Sequence, residues 1–182
     1  MKSNETLKGR SIRMTKLEIL TYPNTFLFRP TNPVENIDGK IQDLIEDMAV
    51  TMYDAPGIGL AAIQVGHDKS LLVFDVSPKD EKRSLQVLIN PKIISKEGTI
   101  ISEEEGCLSV PDYRADVKRA EKILVQGYDR EGKPLQIEAE GLLSLVLQHE
   151  IDHLNGVLFI DHLSSLKRQM YKRRVKKNLR KK

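Results

Sequence analysis

The stretch Gly-Leu-Leu-Ser-Leu-Val-Leu-Gln-His-Glu-Ile-Asp-His-Leu at positions 141–154 constrains this chain more than any other. At helical periodicity it is apolar on nearly all sides until its polar end, and Asn155-Gly156 supplies a C-terminal stop. A helix of that kind has no face to offer water, so the rest of the chain must be packed around it.

The flanking sequence supplies the elements to do so. Ile41, Leu44, Ile45, Met48 and Met52 recur at helical spacing after Asp38, a capping residue, which predicts an amphipathic helix over 37–53 that Asp54-Ala55-Pro56-Gly57 ends. From Leu71 the pattern changes to short β-rich runs: LLVFDV, QVLINP, then KIIS and TIIS separated by Lys96-Glu97-Gly98. Segments 122–128 and 135–139 flank Asp129-Arg130-Glu131-Gly132-Lys133-Pro134 and read as a hairpin with Leu135, Ile137 and Ala139 on one face. A last helix is expected from Ser164 into the tail. Its apolar positions, Leu166, Met170, Val175 and Leu179, are too dispersed for one stripe, so only partial docking is expected. The predicted fold class is α+β, with antiparallel β-sheets packed around a central helix that carries His149, Glu150 and His153, and with a C-terminal helix.

With 182 residues and neither internal repeat nor linker, one domain is expected. It is divided as a flexible N-terminal extension at 1–13, a catalytic body at 14–166 and a basic helical tail at 167–182. No run approaches the roughly 18 apolar residues of a membrane span, and the first residues lack the apolar core of a secretory leader. The expected location is cytoplasmic, with no membrane association. The net charge of +3 hides a polarity: residues 164–182 hold ten Lys and Arg and no acid, while the remainder has 19 Lys and Arg against 26 Asp and Glu, a net −7. A basic tail on an acidic body points to a polyanionic partner.

His149-Glu150-Ile151-Asp152-His153 is HExxH, whose i, i+4 spacing stacks two imidazoles on one helical face within reach of a single ion, with Glu150 beside them to address water. The plainer reading is two satisfied core histidines, and Asp152, facing away, reads as a salt-bridged or capping carboxylate. A tetrahedral catalytic ion needs a third protein ligand and one open position. The protease continuation HExxHxxGxxH is met at Gly156 but fails at its last position, which is Phe159. His162 remains downstream. Upstream stands Cys107, the only cysteine, which cannot form an intrachain disulfide and is core filler, nucleophile or metal ligand; as a ligand it would give a His₂Cys site. Gly57-x-Gly59-x-x-Ala62 formally matches a dinucleotide fingerprint, but it follows a helix where that motif follows a strand, so no nucleotide cofactor is expected. These glycines mark either a tight turn or backbone that approaches a ligand closely.

Taken together, Gly57-Ile58-Gly59-Leu60-Ala61-Ala62-Ile63-Gln64, Glu105-Gly106-Cys107-Leu108-Ser109-Val110-Pro111 and Gln148-His149-Glu150-Ile151-Asp152-His153-Leu154 resemble, in order, the three signature segments of peptide deformylases. The similarity runs from Met14 to about Leu166. It implies a metal-dependent hydrolase that removes the formyl group from the N-terminal formylmethionine of newly synthesised polypeptides and releases formate. The resemblance assigns Cys107, His149 and His153 to one divalent ion, Fe²⁺ as commonly used in the family, with Ni²⁺, Co²⁺ or Zn²⁺ able to substitute. It makes Glu150 the proton carrier, with the Gln64 amide and the Leu108 backbone N–H as oxyanion donors. It implies that Gly59 and the strand near Glu105 pair with the substrate backbone. Ile58, Leu142, Leu145 and Val146 would then line a methionine pocket, and Arg114 would meet the peptide's carboxyl end. It also implies that N-formylmethionyl nascent peptides are the substrate and that the tail docks on the ribosome near its exit tunnel. A peptidase with another third ligand, and a nucleic-acid-binding protein with a structural metal, are the competing classes.

Overall fold

The computed structural model describes residues 15–78 and 80–180; the extension expected over 1–13 lies outside the described residues. The chain opens with a 3₁₀ turn (Thr25–Phe28) and helix α1 (Gly39–Asp54), followed by strand β1 (Gly59–Ala61), a 3₁₀ turn (Ala62–Val65) and β2 (Leu71–Phe74). Strands β3 (Gln86–Glu97), β4 (Ile100–Cys107), β5 (Val110–Arg119), β6 (Lys122–Tyr128) and β7 (Pro134–Glu140) come next. Helix α2 (Leu142–Leu154), a 3₁₀ turn (Phe159–His162) and helix α3 (Ser165–Leu179) complete it. As its sequence implied, α1 is capped by Asp38, whose carboxylate accepts from the Lys40 and Ile41 N–H groups at 3.0 and 3.1 Å.

One sheet has the order β1-β2-β3-β6-β7, the hairpin β4-β5 stands apart, and every pairing is antiparallel. Because side chains alternate across a strand, the unbroken apolar runs of β2 and β3 supply two cores. Leu71, Val73, Val87 and Ile89 pack with Leu44, Ile45 and Met48 of α1. Leu72, Phe74 and Leu88 pack with Val146, Leu147 and Ile151 of α2. The sheet is thus covered by α1 on one face and α2 on the other, and burying each such side chain stabilises the fold by about 1.5–3 kcal/mol. A third cluster joins Val110, Ala115 and Val117 of β5 to Phe159, Leu163 and Tyr171, fastening the chain's last turns to the β4-β5 hairpin. The α+β architecture with antiparallel sheets and a C-terminal helix is the expected one.

Two local features differ from the sequence reading, and a third, the partial docking of α3, rests on a residue that reading did not name. QVLINP and KIIS belong to one strand, β3, which passes Pro91 by register shifts on either side of Lys92-Ile93; Pro has no N–H to pair and is accommodated at such irregularities. Val110–Arg119 is a strand that apolar periodicity does not single out, since its inward positions run Ala115, Val117 and then Arg119. In α3 the dispersed apolar positions Leu166, Met170 and Leu179 are exposed, and the helix is anchored by Tyr171, 3% exposed, with Val175 half-buried beside it. No helix of the described residues is long and apolar enough to cross a membrane.

Candidate metal centre

The centre forms where α2 lies along the end of β4. Two residues on a strand span about 6.6 Å and four on a helix about 6 Å, so alternate positions of the one can face a helical turn of the other. Glu105 and Cys107 of β4 meet His149 and His153 of α2 in that way. His149 Nδ1 is 2.7 Å from Glu105 Oε1, and Cys107 Sγ is 3.1 Å from His153 Nε2. The tight Leu108-Ser109 turn, across which Cys107 pairs with Val110, aims the thiol inward, and the Ser109 N–H donates to Sγ at 3.4 Å.

One ligand atom each from Cys107, His149 and His153 lies within 4.8 Å of the other two. The donor set suits a divalent transition metal: one thiolate and two imidazoles, with a buried carboxylate alongside. Glu105 is a pure acceptor, so it takes the His149 Nδ1–H and leaves Nε2 available to an ion. Burial alone would raise the Cys107 pKa. The charges and hydrogen bonds of His153 and His149 outweigh it and bring the thiol down to about 5, so the ligating thiolate is the favoured form. His149 is displaced upward, because its bonds to Cys107 and Glu105 overcome the cost of burying an imidazolium. Glu150, 5% exposed, is raised chiefly by desolvation, and its Oε2 has no hydrogen-bond partner among the described residues.

Behind the ligands runs a chain of ion pairs. Arg119, 6% exposed, holds Glu105 bidentately at 2.8 and 2.6 Å and reaches Asp152 at 2.9 Å, which in turn meets His162 at 2.7 Å. Arg119 and His149 hold the Glu105 carboxyl well below the usual range although burial works the other way. Asp152 is therefore salt-bridged, and His162 stands outside the donor cluster. Phe159, where the protease pattern would have a third histidine, is 1% exposed and stacks near His149 with ring centroids 6.2 Å apart.

An open cleft of about 960 Å³ fronts the centre. Its floor carries Cys107, His149 and Glu150, with His153 buried behind them. Gln64 enters from the 3₁₀ turn after β1. Its Oε1 accepts the Ala61 N–H at 2.8 Å, which turns Nε2 toward Ser109 Oγ at 3.1 Å and Cys107 Sγ at 3.6 Å. Gly59 lies in β1, at the edge of the sheet, where an added Cβ would sit 2.8 Å from Glu150 Cδ. The close approach expected of this glycine is thus to a buried side chain. Leu108 packs against Gly57, its Cδ1 3.0 Å from where a Cβ on that glycine would stand, and Ile58 also lines the cleft. Leu142, Leu145 and Val146 line the opposite side from the same face of α2 as His149. Arg114 and Glu105 lie along the β4-β5 side, Glu105 with its carboxylate turned to Arg119.

The sequence reading singled out neither Arg119, Ser109, Tyr113 nor Arg174, all of which belong to this region. The inward alternation Ala115, Val117, Arg119 was the available signal for the first. Nothing in the spacing marks Arg174, which comes from α3.

A family model described as polypeptide deformylase matches residues 16–169. A peptide deformylase of Desulfosudis oleivorans is 55% identical over 92% of this chain and 96% of its own length. One of Rhizobium meliloti is 54% identical over 90% and 94%. The crystal structure of a peptide deformylase from Legionella pneumophila superposes with a TM-score of 0.83 at 48% identity, covering 91% of this chain and 96% of that one. The Ehrlichia chaffeensis enzyme in complex with actinonin gives 0.84 at 40% identity, covering 91% and 98%.

If His149 is a ligand, Glu105 orients it without replacing it, and Glu105→Gln should then lower the protein's affinity for a divalent ion by about 10- to 100-fold. Competition against a chelator measures this, with thermal unfolding confirming that the variant is folded. Wild-type affinity in the folded variant would show that the carboxylate has no hold on the centre.

Proposed function

The chain belongs to the polypeptide deformylase family, and from that premise we infer that its cleft hydrolyses the N-formyl amide of formylmethionyl peptides to formate and a free amino terminus. The observation that carries this reading is the convergence of Cys107, His149 and His153 beside a buried carboxylate, Glu150.

Cys107, His149 and His153 are the residues proposed to hold a divalent ion, Fe²⁺ as the physiological one, with Ni²⁺, Co²⁺ and Zn²⁺ compatible with the same donors. When bound, the ion supplies Lewis-acid polarisation of the formyl carbonyl and of the attacking water. Glu150 takes the proton from that water as its oxygen adds to the formyl carbon. Burial raises its proton affinity, which fits a group that must accept a proton and then give it up. As the C–N bond breaks, Glu150 returns the proton to the departing amine and formate leaves. Gln64 Nε2, its orientation fixed by the Ala61 N–H, and the Leu108 backbone N–H are proposed to donate to the oxyanion that develops on the formyl oxygen. Each such donor typically contributes about 10²–10³ in rate. The edges of β1 at Gly59 and of β4 at Glu105 are proposed to take an extended peptide as an added strand. Ile58, Leu142, Leu145 and Val146 are the proposed walls for the methionine side chain, with Arg114 toward the peptide's carboxyl end.

We also propose that the enzyme works in the cytoplasm on nascent chains and meets the ribosome through the basic tail that begins at Ser164, whose ten cations oppose the net −7 of the remaining chain.

Full-length, metal-loaded protein should release formate from a formylmethionyl peptide and leave the peptide bonds intact by mass spectrometry. Glu150→Gln should keep its ion and lose about 10²–10⁴ in kcat. Peptide-bond cleavage, or near-wild-type turnover by the variant, would contradict the assignment. For the tail, co-sedimentation with ribosomes should weaken steeply with salt. Replacing the exposed Arg173, Lys176 and Lys177 together with glutamine should abolish it while Tyr171 keeps α3 docked. Undiminished co-sedimentation would remove α3 as the anchor.

A further inference from the structure

Helix α3 does more than trail from the body. Its middle turn is fastened by Tyr171, whose ring lies 4.7 Å from that of Tyr113 and 5.4 Å from that of Tyr22. Tyr113 lines the cleft, so the helix is docked on the back of the cleft's own wall. One helical turn is about 3.6 residues, so Arg174, three beyond Tyr171, projects on nearly the same side of the helix. The cleft lining includes it, the only α3 residue to take part among the described residues.

The basic residues of α3 therefore divide by position. Arg168 pairs with Asp161 at 3.6 Å. Lys167, Lys172, Arg173, Lys176 and Lys177 are exposed and lie outside the cleft lining. Arg174 alone of them contributes to the cleft lining, as Arg114 of β5 also does. Arg114 donates to the Glu104 carbonyl at 3.2 Å, and neither guanidinium has an ion pair among the described residues. Glu104 and Asp112 also line the cleft; both are exposed, on stems shorter than an arginine's. Two arginines without ion-pair partners among the described residues, contributed by β5 and α3 to the lining of one peptide-sized cleft, offer a place for an incoming carboxylate.

We propose that Arg174 is a specificity-determining residue which, with Arg114, favours formyl peptides bearing a carboxylate beyond the formylated residue. The inference rests on the deformylase reading of the cleft. It assigns part of the basic helix to the substrate, separately from any polyanion that the outward cations meet.

The test compares kcat/KM for formate release by full-length, metal-loaded enzyme on four formylmethionyl peptides: a neutral one with an amidated end, the same peptide with one Asp, the same with one Lys, and the neutral peptide with a free carboxyl end. The two carboxylate-bearing peptides distinguish a side chain from a terminus as the source of the charge. In Arg174→Gln the preference of one or both over the neutral peptide should fall about two- to fivefold, the range of a solvent-exposed ion pair. Arg174→Lys should keep most of it, and Arg174→Glu should turn it toward a Lys-containing peptide. The change should reside in KM, because the contact is made equally in ground and transition states, and should shrink as salt rises. A merely structural role for Arg174 would move all peptides alike, so unchanged ratios across the variants overturn the proposal. Failure of the wild type to release formate from any of the peptides would instead overturn the deformylase reading and the proposal with it.

Discussion

The Glu105 carboxylate is the constraint on which the rest of this structure depends. A buried anion with one missing partner costs several kcal/mol, and breaking such a pair typically destabilises a protein by about 3–5 kcal/mol. Here the pairing joins three elements: β4 carries the acid, Arg119 closes β5 onto it, and His149 reaches it from α2. Arg119 then ties α2 a second time through Asp152. The pairing fixes how far α2 lies along the hairpin, and with Glu105 opposite His149, Cys107 falls opposite His153. A stability element and a catalytic alignment are thus one network.

The same network explains why the two faces of the large sheet differ in chemistry. The face toward α1 is closed by aliphatic packing alone, with Leu44, Ile45 and Met48 over Leu71 and Val73. The face toward α2 is closed by aliphatic contacts along Val146, Leu147 and Ile151, but that helix must also present His149 and His153 to the β4-β5 hairpin. Gly59 marks the tightest point: β1 passes so near Glu150 that no side chain fits between them.

Much of this was legible in the sequence, because the relevant signals are local. HExxH on an apolar run, the Asp38 cap and the alternation through the β6-β7 hairpin each depend on neighbours in the chain. A lone cysteine beside a glycine could be linked to the histidines only through resemblance, since the contact spans more than forty residues. Arg119 was missed as a buried residue because its partners lie on other elements, and the inward alternation of Ala115 and Val117 that leads to it is too short to stand out. Tyr171 was overlooked for a related reason: in a helix crowded with lysine and arginine, one aromatic side chain anchors what dispersed aliphatic positions do not. Arg174 became visible only once that anchor gave α3 an orientation.

Loading the full-length protein with one equivalent of Co²⁺ and recording its near-ultraviolet absorption tests most directly whether one sulfur and two imidazoles share a single ion. Cys107 is the only thiolate the chain can offer, so the wild type should show a sulfur-to-cobalt charge-transfer band that disappears in Cys107→Ser. A stoichiometric Co²⁺ complex of the wild type without that band would contradict the ligand set.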